Sequence, residues 1–259
     1  MNRKEKYKMR IVSYNVNRFN RTHDWYRNGD LTLCEREKNA DKIVKYITKH
    51  IQSKEDIAFL QEFPYYKNGT KGIEYDEWEK RFEKYGLTIK RSYAEGLNLT
   101  VAVVKKNTLW KKIGKSEKSI SFGEDGKDYL NKYIEVSKDN VNIIGMHSPD
   151  ARTLYEGLEK IGDNETPSFI IGDLNSGDYI VKDSDQAKEE NCQYYRNIID
   201  EFGYTDLCNN AVTFPVADTP IDHCLMKKDI RKLYDVVSVD VSKKDMSDHY
   251  PIIVELKNK

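Results

Sequence analysis

Cysteine is scarce and badly placed for structural work. The four thiols, Cys34, Cys192, Cys208 and Cys224, are far apart and form no Cys-x-x-Cys pair, which argues against a disulfide scaffold and leaves reduced packing thiols as the default. A charge of one sign is also missing. The 43 Lys and Arg residues cancel the 43 Asp and Glu residues, so no global positive field exists to grip a polyanion nonspecifically. No apolar run approaches the length needed to span a bilayer, and the charged N-terminus leads into a strand-like run without the apolar stretch of a signal peptide. The expectation is a cytoplasmic protein, a monomer without a membrane-spanning segment. No Pro-, Gly- or Ser-rich linker, internal repeat or low-complexity tract divides the 259 residues, so residues 1–259 read as a single domain. Five histidines are present but no His-Glu-x-x-His, so a metalloprotease has no support.

What is present is an interleaving of short strands and amphipathic helices. Strand-like runs recur at Met9–Val12, Ile57–Leu60, Leu87–Tyr93, Leu99–Val104, Tyr133–Val136, Val141–Met146, Ser168–Ile171, Ile221–Met226 and Pro251–Leu256. Helical spacing appears in Ala40, Ile43, Val44, Ile47 and Ile51, and in Trp78, Phe82 and Tyr85 before Gly86. It returns in Leu154, Leu158 and Ile161, and in Cys192, Tyr195, Ile198, Ile199 and Phe202 before Gly203. These stripes read as core.

Acid and amide residues gather where the strand-like runs end. Ser13-Tyr14-Asn15, Gln61-Glu62 and Gly172-Asp173-Leu174-Asn175 each follow such a run, and Ser247-Asp248-His249 precedes one. A rigid sheet can aim side chains at such positions into one cleft. Glu62, Asp173 and Asp248 offer hard carboxylate oxygens, Asn15 and Asn175 offer amides, and no cysteine accompanies them. That set suits Mg²⁺ or Mn²⁺ better than zinc. His147 also closes an apolar run, whereas His23 and His50 read as ordinary packed or solvated residues. Hydrolysis of an anionic phosphodiester needs charge neutralisation, an activated water and a proton donor for the leaving oxygen, which metal, carboxylate and imidazole can supply. Asp222 could hold an imidazole in one tautomer and raise its pKa.

Six pieces in order, spanning residues 9 to 256, resemble the endonuclease/exonuclease/phosphatase superfamily, whose fold is that of deoxyribonuclease I. They are Ser13-Tyr14-Asn15, Gln61-Glu62, His147-Ser148-Pro149, Gly172-Asp173-Leu174-Asn175, Ile221-Asp222-His223 and Ser247-Asp248-His249-Tyr250-Pro251-Ile252. The resemblance implies an α+β fold, a four-layer α/β/β/α sandwich of two packed mixed sheets flanked by helices, with the site at one end. It implies Glu62 as the main metal ligand, with Asn15 and Asp248 near the metal. Asp173 would orient or deprotonate water, Asn175 would hold the phosphate or the nucleophile, and His249 paired with Asp222 would stabilise developing charge. His147 would protonate the leaving oxygen. Where the family often has tyrosine after the aspartate, His223 stands here, as packing or as a third imidazole.

The segment Asn17 to Asn39 reads as a polar loop over the site. Its Arg18, Arg21 and Arg27 are candidate contacts to substrate phosphates, beside Arg36, Trp25 and Tyr26. A second candidate loop, Asp178 to Asn191, is acidic. The expected activity is Mg²⁺-dependent hydrolysis of a phosphodiester in nucleic acid. The alternative is a phosphatase or small-molecule phosphodiesterase of the same superfamily acting on a small phosphate ester. A non-catalytic binding module would more readily have lost one of these groups.

Overall fold

A computed structural model describes residues 8–20, 31–64, 75–94, 98–114, 122, 128–161, 166–176 and 185–259. Its first six-stranded sheet has the order β11-β12-β1-β2-β4-β3. The strands are β1 (Lys8–Asn15), β2 (Ile57–Pro64), β3 (Leu87–Lys90), β4 (Asn98–Lys105), β11 (Tyr234–Val241) and β12 (Ile252–Asn258). The second, of order β5-β6-β7-β8-β10-β9, comprises β5 (Lys111–Lys112), β6 (Tyr133–Lys138), β7 (Val141–His147), β8 (Phe169–Asp173), β9 (Tyr204–Asp206) and β10 (Asp222–Lys227). Helices α1 (Leu33–His50) and α2 (Tyr75–Glu83) accompany the first sheet, and α3 (Ala151–Ile161) and α4 (Asp185–Glu201) the second.

Period-two alternation along the strands builds three cores and hence four layers. Val12, Tyr14, Ala58 and Leu60 face Ala40, Ile43, Val44 and Ile47 of α1. From the opposite face of the same strands, Ile11, Ile57 and Phe59 meet Ile143, Phe169, Ile171 and Cys224 between the sheets. Ile144, Ile170 and Leu225 then cover Leu154 and Leu158 of α3 and Ile198 of α4. Each fully buried Val, Leu, Ile or Phe among them contributes about 1.5–3 kcal/mol relative to exposure. The expected α+β sandwich of two mixed sheets is the one observed.

Several boundaries differ from those expected. The strand-end clusters lie inside the strands, because pairing continues through Asn15, His147 and Asp173. β5, β9 and β11 were not expected: β5 and β9 are too short to alternate, and β11 is exposed along most of its length, although Val237, Val239 and Val241 alternate with Ser238 and Asp240. Tyr85 lies beyond the end of α2 and is exposed. The four cysteines are free thiols. Among the described residues no helix is long and apolar enough to cross a membrane.

Candidate active site

The polar cluster is the continuation of the inter-sheet core. Asn15 shares the face of Ile11, His147 that of Ile143, Asp173 that of Phe169 and Ile171, and Asp222 that of Cys224 and Met226. All four therefore point between the sheets at the end where apolar residues give out. β1 and β2 are parallel, as are β7 and β8, so their C-terminal ends meet there. β12 and β10 run antiparallel to these pairs and bring their N-terminal ends to the same edge. His147 and Asp222 flank Asp173 as its register partners on adjacent strands.

Glu62 arrives by a different route. Between Leu60 and Phe63, β2 carries one residue more than its partner β4, and Glu62 takes a positive φ of 49°. Such a bulge re-aims side chains at a sheet end. Phe63 thereby rejoins Leu60 on the helix-facing side, and the carboxylate of Glu62 acts electrostatically on Asp173 and Lys132.

Asp173 is the hub. Its Oδ2 accepts a hydrogen bond from Asn15 Nδ2 at 2.8 Å, and lies 3.6 Å from His147 Nε2 and 3.8 Å from His249 Nε2. Its Oδ1 accepts the Asn175 amide N–H at 3.2 Å. Burial, reinforced by Asp222 and Glu62 against the opposing effect of His249 and Asn15, pushes its pKa up to about 7. His249 Nδ1 pairs with Asp222 Oδ2 at 2.8 Å, and the Phe214 ring lies 4.9 Å from its imidazole. Burial alone would depress the imidazole, but the Asp222 and Asp173 carboxylates outweigh it and raise it to about 10. His147 is the opposite case: burial, then Lys132 and His249, hold it well below its ordinary value. One imidazole is thus cationic and the other neutral at pH 7.

The remaining expected residues have specific places. Asn175, with φ of 44°, donates from Nδ2 to the Ser148 carbonyl at 2.9 Å, while its own carbonyl accepts from Asn191. Asp248 is buried, with Oδ1 3.1 Å from Ser247 Oγ, and that hydroxyl donates to the Asn15 carbonyl at 2.7 Å. His223 is not a third imidazole of the cluster. It sits on the other face of β10, where Nδ1 meets Tyr195 OH at 2.8 Å and Asp206 Oδ2 at 3.0 Å. A cavity of about 590 Å³ beside it, lined by α4 and residues 210–220, opens on that far side.

The expected long loop is corrected. Residues 17–39 include the first turns of α1, begun by a capping box between Thr32 and Glu35. Arg36 and Asn39 are buried on that helix, and Arg36 chelates the Arg18 carbonyl from Nε at 3.1 Å and Nη2 at 2.8 Å. It therefore does not reach toward substrate. Arg18 sits in the turn directly after Val16, while Arg21, Arg27, Trp25 and Tyr26 lie outside the described residues. Of the second expected loop, residues 178–184 also lie outside them, and residues 185–191 are the first turns of α4 rather than a loop.

Lys132, just before β6, was not foreseen. Its Nζ lies 3.4 Å from His147 Nδ1, and with Tyr129, His147 and Pro149 it lines a cavity of about 220 Å³. Burial lowers its pKa, opposed by Glu62 and Asp173. A protonated amine facing Nδ1 leaves the proton of neutral His147 on Nε2, which faces Asp173.

Among described His, Cys, Asp and Glu residues, only Asp173, Asp222 and His249 group closely enough to share a metal, with ligand atoms within 4.8 Å of one another. The Asp222–His249 hydrogen bond and the raised imidazole pKa argue that this trio is first an acid–imidazole pair beside a carboxylate, since a protonated imidazole cannot ligate. Glu62, Asn15 and Asp248 flank the trio. The pKa of Asp173 is raised first by burial and then by the neighbouring Asp222 and Glu62 carboxylates, and a hard divalent cation fits such a carboxylate-and-amide set.

No family model matches the sequence, and no curated protein does. Solved structures do. The catalytic domain of human Nocturnin, with a bound sulfate anion, matches at a TM-score of 0.61 and 12% identity over 97% of this chain and 95% of that one. An AP endonuclease from Archaeoglobus fulgidus matches at 0.59 and 18% over 95% and 98%. The 3'-5' exonuclease NExo from Neisseria meningitidis matches at 0.59 and 17%, over 95% and 98%.

Proposed function

We propose that this chain, which has the deoxyribonuclease I-like fold of the endonuclease/exonuclease/phosphatase superfamily, is a metal-dependent phosphoesterase that hydrolyses phosphodiesters of nucleic acid. The observation that carries the reading is Asp173, a buried carboxylate poised near pH 7 between a cationic and a neutral imidazole.

Glu62, Asn15 and Asp248, beside Asp173, would hold Mg²⁺ or Mn²⁺. When bound, such an ion neutralises phosphate charge and polarises the phosphoryl oxygen. Asp173 accepts a proton from the attacking water, for which a pKa near the working pH is suited. His249, anchored by Asp222, donates from Nε2 to a phosphate oxygen and opposes the charge that develops there. The Asn175 amide positions the phosphate or water. His147 and Lys132 would stand by the leaving oxygen, where the Nε2–H of the neutral imidazole donates a hydrogen bond and the Lys132 ammonium is the source of the proton. Arg18, with Arg21 and Arg27, would contact flanking backbone phosphates. Nucleic acid as substrate is supported by the structural neighbours named as an AP endonuclease and an exonuclease.

The small cavity at Lys132 favours a second reading. At about 220 Å³ it suits a phosphate group better than a nucleotide, as a phosphatase acting on a small ester would require. Plasmid DNA, single-stranded DNA, RNA, abasic DNA, inositol phosphates and bis-p-nitrophenyl phosphate, each assayed with Mg²⁺ and with EDTA, separate the two. Cleavage of a polynucleotide supports the first, and hydrolysis of a small ester alone supports the second. No metal-dependent hydrolysis of any would reject both.

A further inference from the structure

Immediately after Asn15 the backbone does something L-residues avoid. Asn17, Arg18 and Phe19 have successive φ values of 42°, 53° and 62°, and none is glycine. Single residues visit this left-handed region at a cost, and runs of them are rare. Internally the turn is closed by hydrogen bonds from Phe19 N to the Val16 carbonyl at 2.7 Å and from Asn20 N to the Asn17 carbonyl at 2.8 Å.

External contacts hold it. Arg36 takes the Arg18 carbonyl with two donors. One helical turn further on, Asn39 donates from Nδ2 to the carbonyls of Phe19 at 3.0 Å, Asn20 at 3.3 Å and Met246 at 2.8 Å. Phe19 itself is buried, its ring centroid 5.5 Å from Phe63 and 4.7 Å from Trp78. The Met246 contact extends the hold to the segment carrying Asp248 and His249.

What the turn delivers is the Asn17 amide N–H, which donates to Asn15 Oδ1 at 3.0 Å. A backbone N–H can only donate, so the oxygen of the Asn15 amide must face it. The nitrogen is then left to face Asp173 Oδ2, as observed. The Val16 carbonyl that Phe19 N holds belongs to the same peptide unit as the Asn17 N–H. Relaxation of the turn to negative φ would withdraw the Phe19 donor, free that peptide unit to swing, and with it free the Asn15 amide to rotate.

We propose that Arg36 and Asn39 are positioning residues: through the left-handed turn 17–19 they fix the orientation of the Asn15 side-chain amide, and through it the hydrogen bond to Asp173. The inference deepens the phosphoesterase reading and rests on it only for the effect on turnover, because the orientation of Asn15 is observable without substrate or metal.

Two readouts test it on the full chain. In metal-free ¹⁵N-labelled protein, Arg36→Met shifts the side-chain NH₂ signals of Asn15 and speeds exchange of the Asn17 amide, while amides of the central strands keep their protection. With bis-p-nitrophenyl phosphate and Mg²⁺, kcat falls by about 10- to 100-fold, as for a misplaced reacting group, with little change in KM. The double variant Arg36→Met/Asn17→Gly recovers most of both losses, because glycine adopts positive φ without external support and keeps its N–H. Should Arg36→Met fail to fold, Arg36→Lys with and without Asn17→Gly is read the same way. Unchanged Asn15 signals, or a loss that glycine does not rescue, overturns the proposal. A wild type without hydrolytic activity overturns the phosphoesterase reading instead, and the amide signals still decide the role of Arg36.

Discussion

The side-chain amide of Asn15 donates to Oδ2 of Asp173 across 2.8 Å, tying the end of one sheet to the end of the other. The two residues lie on the inter-sheet faces of β1 and β8. The sheets that make the apolar core therefore also align the polar cluster, and a disturbance of either sheet end should reach the chemistry.

The paired imidazoles predict an unusual titration. In metal-free protein His249 should titrate near pH 10 and His147 well below 6.5, as read from their ring-proton NMR shifts. Because the folded-state pKa of His249 is raised, its stabilising pairing with Asp222 is complete below about pH 6.5 and is lost as pH rises through about 10. Activity should rise through about pH 7 as Asp173 ionises and fall toward about pH 10. Raising Mg²⁺ should move the lower limb to lower pH. A His249 that titrates at an ordinary 6.5 would refute the pairing as described.

Lys132→Met keeps the aliphatic bulk and removes the ammonium. The expected loss in kcat is about 10²-fold, typical of deleting one positioned donor to developing charge. The same variant should raise the pKa of His147, since Lys132 is one of the causes that depress it. Steady-state kinetics and histidine NMR read the two effects separately, and a variant with wild-type turnover would remove Lys132 from the site.

Gly172, with φ of 149°, precedes Asp173 on β8, and a Cβ there would collide with the Met146 carbonyl on β7. Gly172→Ala should cost about 1–3 kcal/mol in denaturant unfolding. It should also displace Asp173 and lower turnover in the surviving folded fraction. An alanine variant of native stability would contradict this packing.

Much of the site was legible because period two is a strong signal. Once β7, β8 and β10 are placed, His147, Asp173 and Asp222 follow on the inter-sheet face by counting from Ile143, Phe169 and Cys224. The same count assigns His223 to the other face, beside Tyr195. Glu62 is the exception, since its aim depends on a bulge that alternation cannot show. The 17–39 segment misled because a left-handed turn without glycine leaves no glycine to read. The Thr32–Glu35 capping box was a usable signal for an earlier start of α1. The alternation of Val237, Val239 and Val241 with Ser238 and Asp240 was a usable signal for β11, whereas Lys132 reads in sequence as one more surface lysine.

Asp173 as the group that activates water is tested most directly by kcat of Asp173→Asn against wild type, with bis-p-nitrophenyl phosphate at saturating Mg²⁺. Asparagine preserves the shape and can still accept from Asn15, so the fold should persist and KM should stay close to that of the wild type. The expected fall in kcat is about 10³-fold or more, as for loss of a general base acting on the transition state. A folded Asp173→Asn protein turning over near the wild-type rate would contradict it.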